Sequence, residues 1–209
     1  MNFLAHIYLA GTNEGLIIGN FIADMVKGKS YLNYDEPLQK GILMHRQIDS
    51  FTDNHPVFRK TKRRILKEQG PYSGVVVDML YDHFLAAEWS RFSDEELDAF
   101  VCRNYKLMIK NYRKLPERAQ YILPFMVRQN WLANYAKLDA LTLIFDRMDK
   151  RTDYRSGMKT SVKTLQKYYP EIKQDFLAFM PDLIHFVENL KTTTYIQSNL
   201  SKKNNQIPL

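Results

Sequence analysis

Apolar residues recur at three- and four-residue spacing along most of the chain, the period of helices with one buried face. Phe3 to Leu9 is a short apolar run, closed by a turn at Gly11-Thr12-Asn13. From Glu14 to Val26, the positions of Leu16, Ile17, Phe21, Ala23 and Met25 predict a largely buried helix, in which Gly19 and Asn20 are unusual. Lys27-Gly28-Lys29 supplies a basic last turn and a glycine stop. Asp35-Glu36-Pro37 predicts the start of a helix running through Ile42, His45 and Ile48 to Thr52. His55-Pro56 opens the next helix and Gly70-Pro71 breaks it. Ser73 to Trp89 carries Val76, Leu80 and Phe84 on one face, and Ser93-Asp94-Glu95-Glu96 reads as a capping box for a helix to Tyr112. Pro116 begins a helix to Leu132, kinked at Pro124. Helices over Leu138–Arg147, Val162–Tyr169 and Ile172–Leu190 complete the set. With no hairpin signal, internal repeat or long linker, the expectation is an all-α, single-domain multi-helix bundle over residues 1–191. A polar C-terminal tail over 192–209 would be frayed, or packed through Tyr195 and Ile196.

Composition narrows this picture only a little. A chain of 209 residues, 45% hydrophobic and 25% charged, suits one domain with a substantial core. Gly and Pro number eight each, which favours long regular elements over a turn-rich β fold. The single cysteine, Cys102, excludes an intrachain disulfide framework and a multi-cysteine zinc site. Its place on a predicted helix suggests a small buried apolar residue, and its solitude fits a reducing compartment. Met1-Asn2-Phe3-Leu4-Ala5-His6 lacks the basic start of a signal peptide, and no apolar run is long enough to span a bilayer. A cytoplasmic protein without a membrane role is expected.

The formal charge is +7, but Lys191, Lys202 and Lys203 lie in an acid-free C-terminal stretch. The remaining surplus is modest and hints at an acidic partner or substrate.

The chemistry concentrates in two helical segments. His45 and Asp49 stand four apart, on one face, within reach of a common ligand. Asp78 and Asp82 repeat the spacing on a second helix, and His83 follows directly, pointing about 100° away. Carboxylates mixed with imidazole suit Mn²⁺, Mg²⁺ or Fe²⁺, ions that polarise a phosphoryl oxygen and acidify bound water. Either pair alone is also what a surface pair or a helix stabiliser looks like. Among apolar neighbours such as Leu80, Phe84 and Leu85, buried carboxylates need partners or metal. Spacing leaves both readings open.

Longer strings carry a resemblance. They are Met1-Asn2-Phe3-Leu4-Ala5-His6, Gly19-Asn20-Phe21-Ile22-Ala23-Asp24, the run from Gly41 through His45-Arg46-Gln47-Ile48-Asp49 to Asp53, Asp82-His83-Phe84-Leu85 with Trp89, and Asn130-Trp131-Leu132-Ala133-Asn134-Tyr135. In these the chain resembles the acyl carrier protein phosphodiesterases, clearly over residues 1–150 and weakly to 190. The resemblance implies a fold similar to the HD-type phosphohydrolases and a divalent metal, with Mn²⁺ favoured over Mg²⁺ or Fe²⁺. It also implies hydrolysis of the phosphodiester joining 4′-phosphopantetheine to a serine of holo acyl carrier protein, giving apo carrier protein and 4′-phosphopantetheine. The pattern carries over at Asp24, His45, Asp49, Asp78, Asp82 and His83. It departs near Met148-Asp149-Lys150-Arg151, where a paired arginine is expected, and over the C-terminal third.

On this reading His45, Asp49, Asp78 and Asp82 are the expected metal ligands. Asp24 and His83 would hold the nucleophile or move a proton. Arg46 would grip a phosphate oxygen, with a salt bridge as its alternative. His6, Asn20 and Asp53 are further candidates: His6 as a core histidine or a group facing the site, Asp53 as a cap or an extension of the His45–Asp49 face. His55 and His185 read as structural. Arg59, Lys60, Arg63, Arg64 and Lys67 form one stripe, a docking face for a small acidic carrier protein or a solvated face opposite Phe58, Ile65 and Leu66. Trp131 and Tyr135, four apart, would line a pantetheine channel or fill core. The alternatives are an HD-like phosphohydrolase acting on a nucleotide or other small phosphoester, and a non-catalytic helical binding module. Clustered carboxylates argue against nucleic acid.

Overall fold

In the computed structural model every regular element is helical among the described residues, 1–150 and 152–204, with side chains described through residue 192. The chain runs through α1 (Phe3–Ala10), α2 (Glu14–Ile22), α3 (Glu36–Asn54), α4 (Pro56–Gln69) and α5 (Ser73–Ala87). It continues through α6 (Leu97–Lys110), α7 (Glu117–Arg128), α8 (Trp131–Asn134), α9 (Leu138–Lys150), α10 (Ser161–Lys167) and α11 (Tyr169–Asn204). The all-α expectation holds. No helix among the described residues is long and apolar enough to cross a membrane.

Local chemistry explains most boundaries. Asn13 caps α2 by accepting from Leu16 N at 3.0 Å. Pro37 stands in the first turn of α3 and Pro56 in that of α4. His55 caps α4 through its own ring, accepting from Val57 N at 3.3 Å.

Five expectations change. The helix expected over Glu14 to Val26 ends at Ile22, and a 3-10 turn, Ala23–Met25, carries Asp24. The capping box does not form: Ser93 Oγ accepts from Glu95 N in its own turn, and α6 starts at Leu97 without a side-chain cap. The helix expected from Pro116 to Leu132 breaks at Asn130, whose φ of 45° is left-handed. Helix α11 begins earlier and runs to Asn204, so the polar residues after 192 continue a helix. The side chains of Tyr195, Ile196, Lys202 and Lys203, and all of Arg151, lie outside the described residues. Cys102 is exposed, because it sits on the solvent face of α6 beside Arg103.

Two packing features position the site. The first is the crossing of α2 over α3, where Gly19 meets Gly41. A Cβ on Gly19 would lie 2.5 Å from Leu38 O and 2.6 Å from Gly41 Cα. Only glycine lets the two backbones touch there, which accounts for the residue that looked out of place in α2. The second is α11, which lays Phe176 and Phe179 against Tyr81 of α5 at ring distances of 5.5 and 5.3 Å. Each such side chain, fully buried, contributes roughly 1.5–3 kcal/mol. The buried Asp175 joins α11 to α4, accepting from Lys60 Nζ at 2.8 Å, Arg64 at 3.0 Å and Thr61 Oγ1 at 3.1 Å.

Candidate active site

Three elements converge on one cluster. Helix α3 presents His45 and Asp49 one turn apart, α1 presents His6, and the 3-10 turn after α2 presents Asp24. His45 Nε2 lies 3.0 Å from Asp49 Oδ2 and 3.2 Å from Asp24 Oδ1. His6 Nε2 lies 3.1 Å from Asp49 Oδ1, out of line for a hydrogen bond, so neither ring nitrogen of His6 has a hydrogen-bond partner. The two imidazoles stack with centroids 3.7 Å apart. Both rings are buried, whereas the Asp24 side chain is 70% exposed and that of Asp49 39%. The cluster thus opens to solvent through its carboxylates.

The charges are strongly coupled. Burial pulls the His6 pKa down to about 4, helped by the charge of His45, so His6 is neutral at pH 7. Burial also works against the His45 cation. The hydrogen bonds to Asp24 and Asp49 outweigh it and raise His45 to about 9. Asp49 is held well below the usual carboxylate range: burial opposes its charge, but the hydrogen bond from His45 prevails. The hydrogen bond from His45 likewise lowers Asp24.

Asp78, Asp82 and His83 do different work from that expected. Asp78 pairs with the Met1 ammonium at 2.7 Å. Asp82 accepts from Asn2 N at 3.1 Å and from Leu4 N at 2.8 Å, capping α1 from a neighbouring helix. It is fully buried, and burial lifts its pKa to about 7. These two acids fix α1, and with it His6. His83 is buried and turned elsewhere: Nδ1 donates to Tyr135 O at 2.8 Å and Nε2 faces Tyr169 Oη at 3.2 Å. Burial lowers its pKa, so it is neutral. The structure therefore does not bring the four expected ligands together. It joins His45 and Asp49 to Asp24 and to His6, which no spacing signal could single out because α1 meets α3 only in the folded chain.

The remaining candidates fall as follows. Arg46 is committed to structure: its guanidinium donates to Val26 O at 2.9 Å and lies over Tyr31, bracing the segment that follows Asp24. Asn20 donates to Leu16 O at 3.0 Å, while its buried Oδ1 has no hydrogen-bond partner. Asp53 is exposed at the end of α3, and its carbonyl accepts from Arg59 Nε at 2.9 Å. Arg59 also bonds Asn54 Oδ1 at 2.6 Å. Arg64 turns inward to Asp175, and Lys60 reaches the same carboxylate from solvent, which leaves Arg59, Arg63 and Lys67 as the exposed part of that expected stripe not held by Asp175. His55 faces Asp182 at 3.2 Å, and His185 faces Asn189 at 3.0 Å.

A cavity of about 400 Å³ lies against the cluster. Its wall includes Asp24, Asp78, Trp131 and the buried Tyr135, together with Arg118 of α7 and Arg147 of α9. The two arginines were not legible as site residues. On amphipathic helices they look like any solvated face.

Known proteins are similar to this chain in sequence. A profile described as acyl carrier protein phosphodiesterase matches residues 1–183. The chain belongs to the acyl carrier protein phosphodiesterase family. A relative of that name from Photorhabdus laumondii is 30% identical over 90% of this chain and 96% of its own length. Others bearing it, from Pectobacterium atrosepticum and Shigella boydii, are 28% and 30% identical over 90% and 88% of this chain, and 98% and 96% of their own lengths. No solved structure matches.

The cluster fits a divalent cation. Donor atoms of His6, His45 and Asp49 all lie within 4.8 Å of one another, the group among the described residues that meets this test. His45 Nδ1 and both nitrogens of His6 are buried without hydrogen-bond partners. Two imidazoles with carboxylates form a mixed nitrogen–oxygen set, suited to Mn²⁺ or Fe²⁺ and less to an all-oxygen ion such as Mg²⁺.

Proposed function

We propose that this chain is a metal-dependent phosphodiesterase that cleaves the bond between 4′-phosphopantetheine and a serine of holo acyl carrier protein. The observation that carries the reading is the His6–His45–Asp49–Asp24 cluster, whose Asp24 forms part of the wall of a cavity sized for a small organic ligand. The family and the shared name of the relatives support the substrate.

His6, His45 and Asp49 would hold the ion, with Asp24 at its open side, and Mn²⁺ suits the donor set. When bound, such an ion supplies Lewis-acid stabilisation of the phosphoryl oxygens and makes water nucleophilic at neutral pH. Asp24 is ionised and lines the cavity, which supports Oδ as the group that would take a proton from the attacking water. Asp24 then returns that proton to solvent and the leaving serine oxygen takes one from solvent, which balances the exchange. His83 takes no part, because both its nitrogens face Tyr135 and Tyr169. Tyr135 and Trp131 line the cavity and would flank the pantetheine arm. Arg59 and Arg63 remain exposed to meet an acidic carrier protein. The lone cysteine, which leaves no disulfide to form, fits action in the reducing cytoplasm.

The test is holo carrier protein incubated with the enzyme, with Mn²⁺ or with a chelator, and read by intact mass. The expected result is loss of the phosphopantetheine mass with Mn²⁺ alone. An unchanged holo mass with folded, metal-loaded protein overturns the reading.

A further inference from the structure

The cavity beside the cluster has a charge imbalance. Two of its wall residues are acids, Asp24 and Asp78. Each is already matched: Asp78 by the Met1 ammonium at 2.7 Å, Asp24 by His45 at 3.2 Å. Arg118 and Arg147 face the same space from α7 and α9, and neither has a carboxylate partner among the described residues. Among the described residues Arg147 donates to the neutral Gln129 Oε1 alone, at 2.6 Å. The indole of Trp131 donates to that same oxygen at 3.2 Å, so Gln129 holds the arginine and the aromatic wall in one arrangement. The cavity wall therefore carries two guanidinium groups without carboxylate partners among the described residues.

A guanidinium presents a planar fork of donors that fits two oxygens of a phosphate at once. A phosphodiester brings one negative charge into a space whose acids would repel it. The unmatched arginines offset that repulsion and set the phosphorus between themselves and Asp24. We propose that Arg118 and Arg147 bind the non-bridging oxygens of the substrate's phosphodiester and, after cleavage, the phosphate of released 4′-phosphopantetheine. This assignment rests on the phosphodiesterase reading. It adds two residues, from helices that carry none of the metal-site candidates, and it separates phosphate recognition from carrier-protein docking on α4.

The experiment compares wild type with Arg118→Gln, Arg147→Gln and the matching Lys variants, after a thermal melt has shown each to be folded. Three readouts are taken: kcat/KM on holo carrier protein, kcat/KM on bis(4-nitrophenyl) phosphate, and calorimetric binding of 4′-phosphopantetheine. The expected result is a loss of about ten- to hundredfold in all three for each Gln variant, from one lost charge-assisted contact, with partial recovery in the Lys variants. A loss confined to the carrier protein would make the arginines docking contacts and overturn the proposal. Unchanged values, or a wild type that does not bind 4′-phosphopantetheine, overturn it as well. Wild type that cleaves the aryl diester but spares the carrier protein sinks the carrier-protein reading alone, since the arginines are still judged on the small diester.

Discussion

Gly19→Ala is the perturbation that tests how the fold makes the site. The added methyl would meet Leu38 O at 2.5 Å and Gly41 Cα at 2.6 Å, both backbone atoms of α3. Ordinary carbon contacts begin roughly 1 Å farther out, so α2 and α3 must separate by about that much. Alanine gains about 1 kcal/mol of helix propensity over glycine. Overpacking against rigid backbone costs about 3 kcal/mol, so the net destabilisation is about 2 kcal/mol. The displacement falls where it matters most, since Asp24 follows α2 and His45 sits on α3, 3.2 Å apart. Opened by about 1 Å, that hydrogen bond is lost, and a misplacement of this size costs about a hundredfold in rate. Urea denaturation gives the stability and turnover of holo carrier protein gives the rate. A Gly19→Ala protein of wild-type stability and wild-type rate would refute the argument that glycine contact sets the site's geometry.

Two further outcomes follow from the charges. His45 is raised to about 9, so a cation entering the cluster must displace its proton. Mn²⁺ affinity should then climb by about tenfold per pH unit from about pH 6.5 to about 8.5, with proton release. A pH-independent affinity in calorimetry would remove His45 from the ligand set. Asp175→Ala strands the partly buried Arg64, whereas Lys60 stays largely in solvent, and should cost about 2 kcal/mol in urea melts. Its kcat should stay at the wild-type value, because none of the residues Asp175 touches lines the cavity.

The sequence made the helices legible where a local device ends them. Pro37, His55-Pro56 and Gly70-Pro71 each act within one turn, and the structure uses each of them. Ser93 misled because its hydroxyl serves a nearer amide. Asn130 misled because its left-handed backbone is not encoded by any apolar period. Within the site, His45 and Asp49 were legible because one helix carries both. Asp78 and Asp82 show the ambiguity of the same spacing. Four residues apart serves two ligands equally well, or one partner for an ammonium and one cap for a foreign helix. His6 was legible only as a candidate, left open between core and site, and the two cavity arginines were not singled out at all, for a common reason: their meaning depends on which helices meet, and that is settled only by packing.

The account stands most directly on the cluster of His6, His45, Asp49 and Asp24. Its sharpest test is the intact mass of holo carrier protein over time with Mn²⁺ and either wild type or Asp49→Asn, a change that removes the carboxylate facing both histidines. The account predicts conversion to the apo mass by wild type, and a rate lower by about a thousandfold or more for the variant. Conversion by Asp49→Asn at the wild-type rate would contradict it.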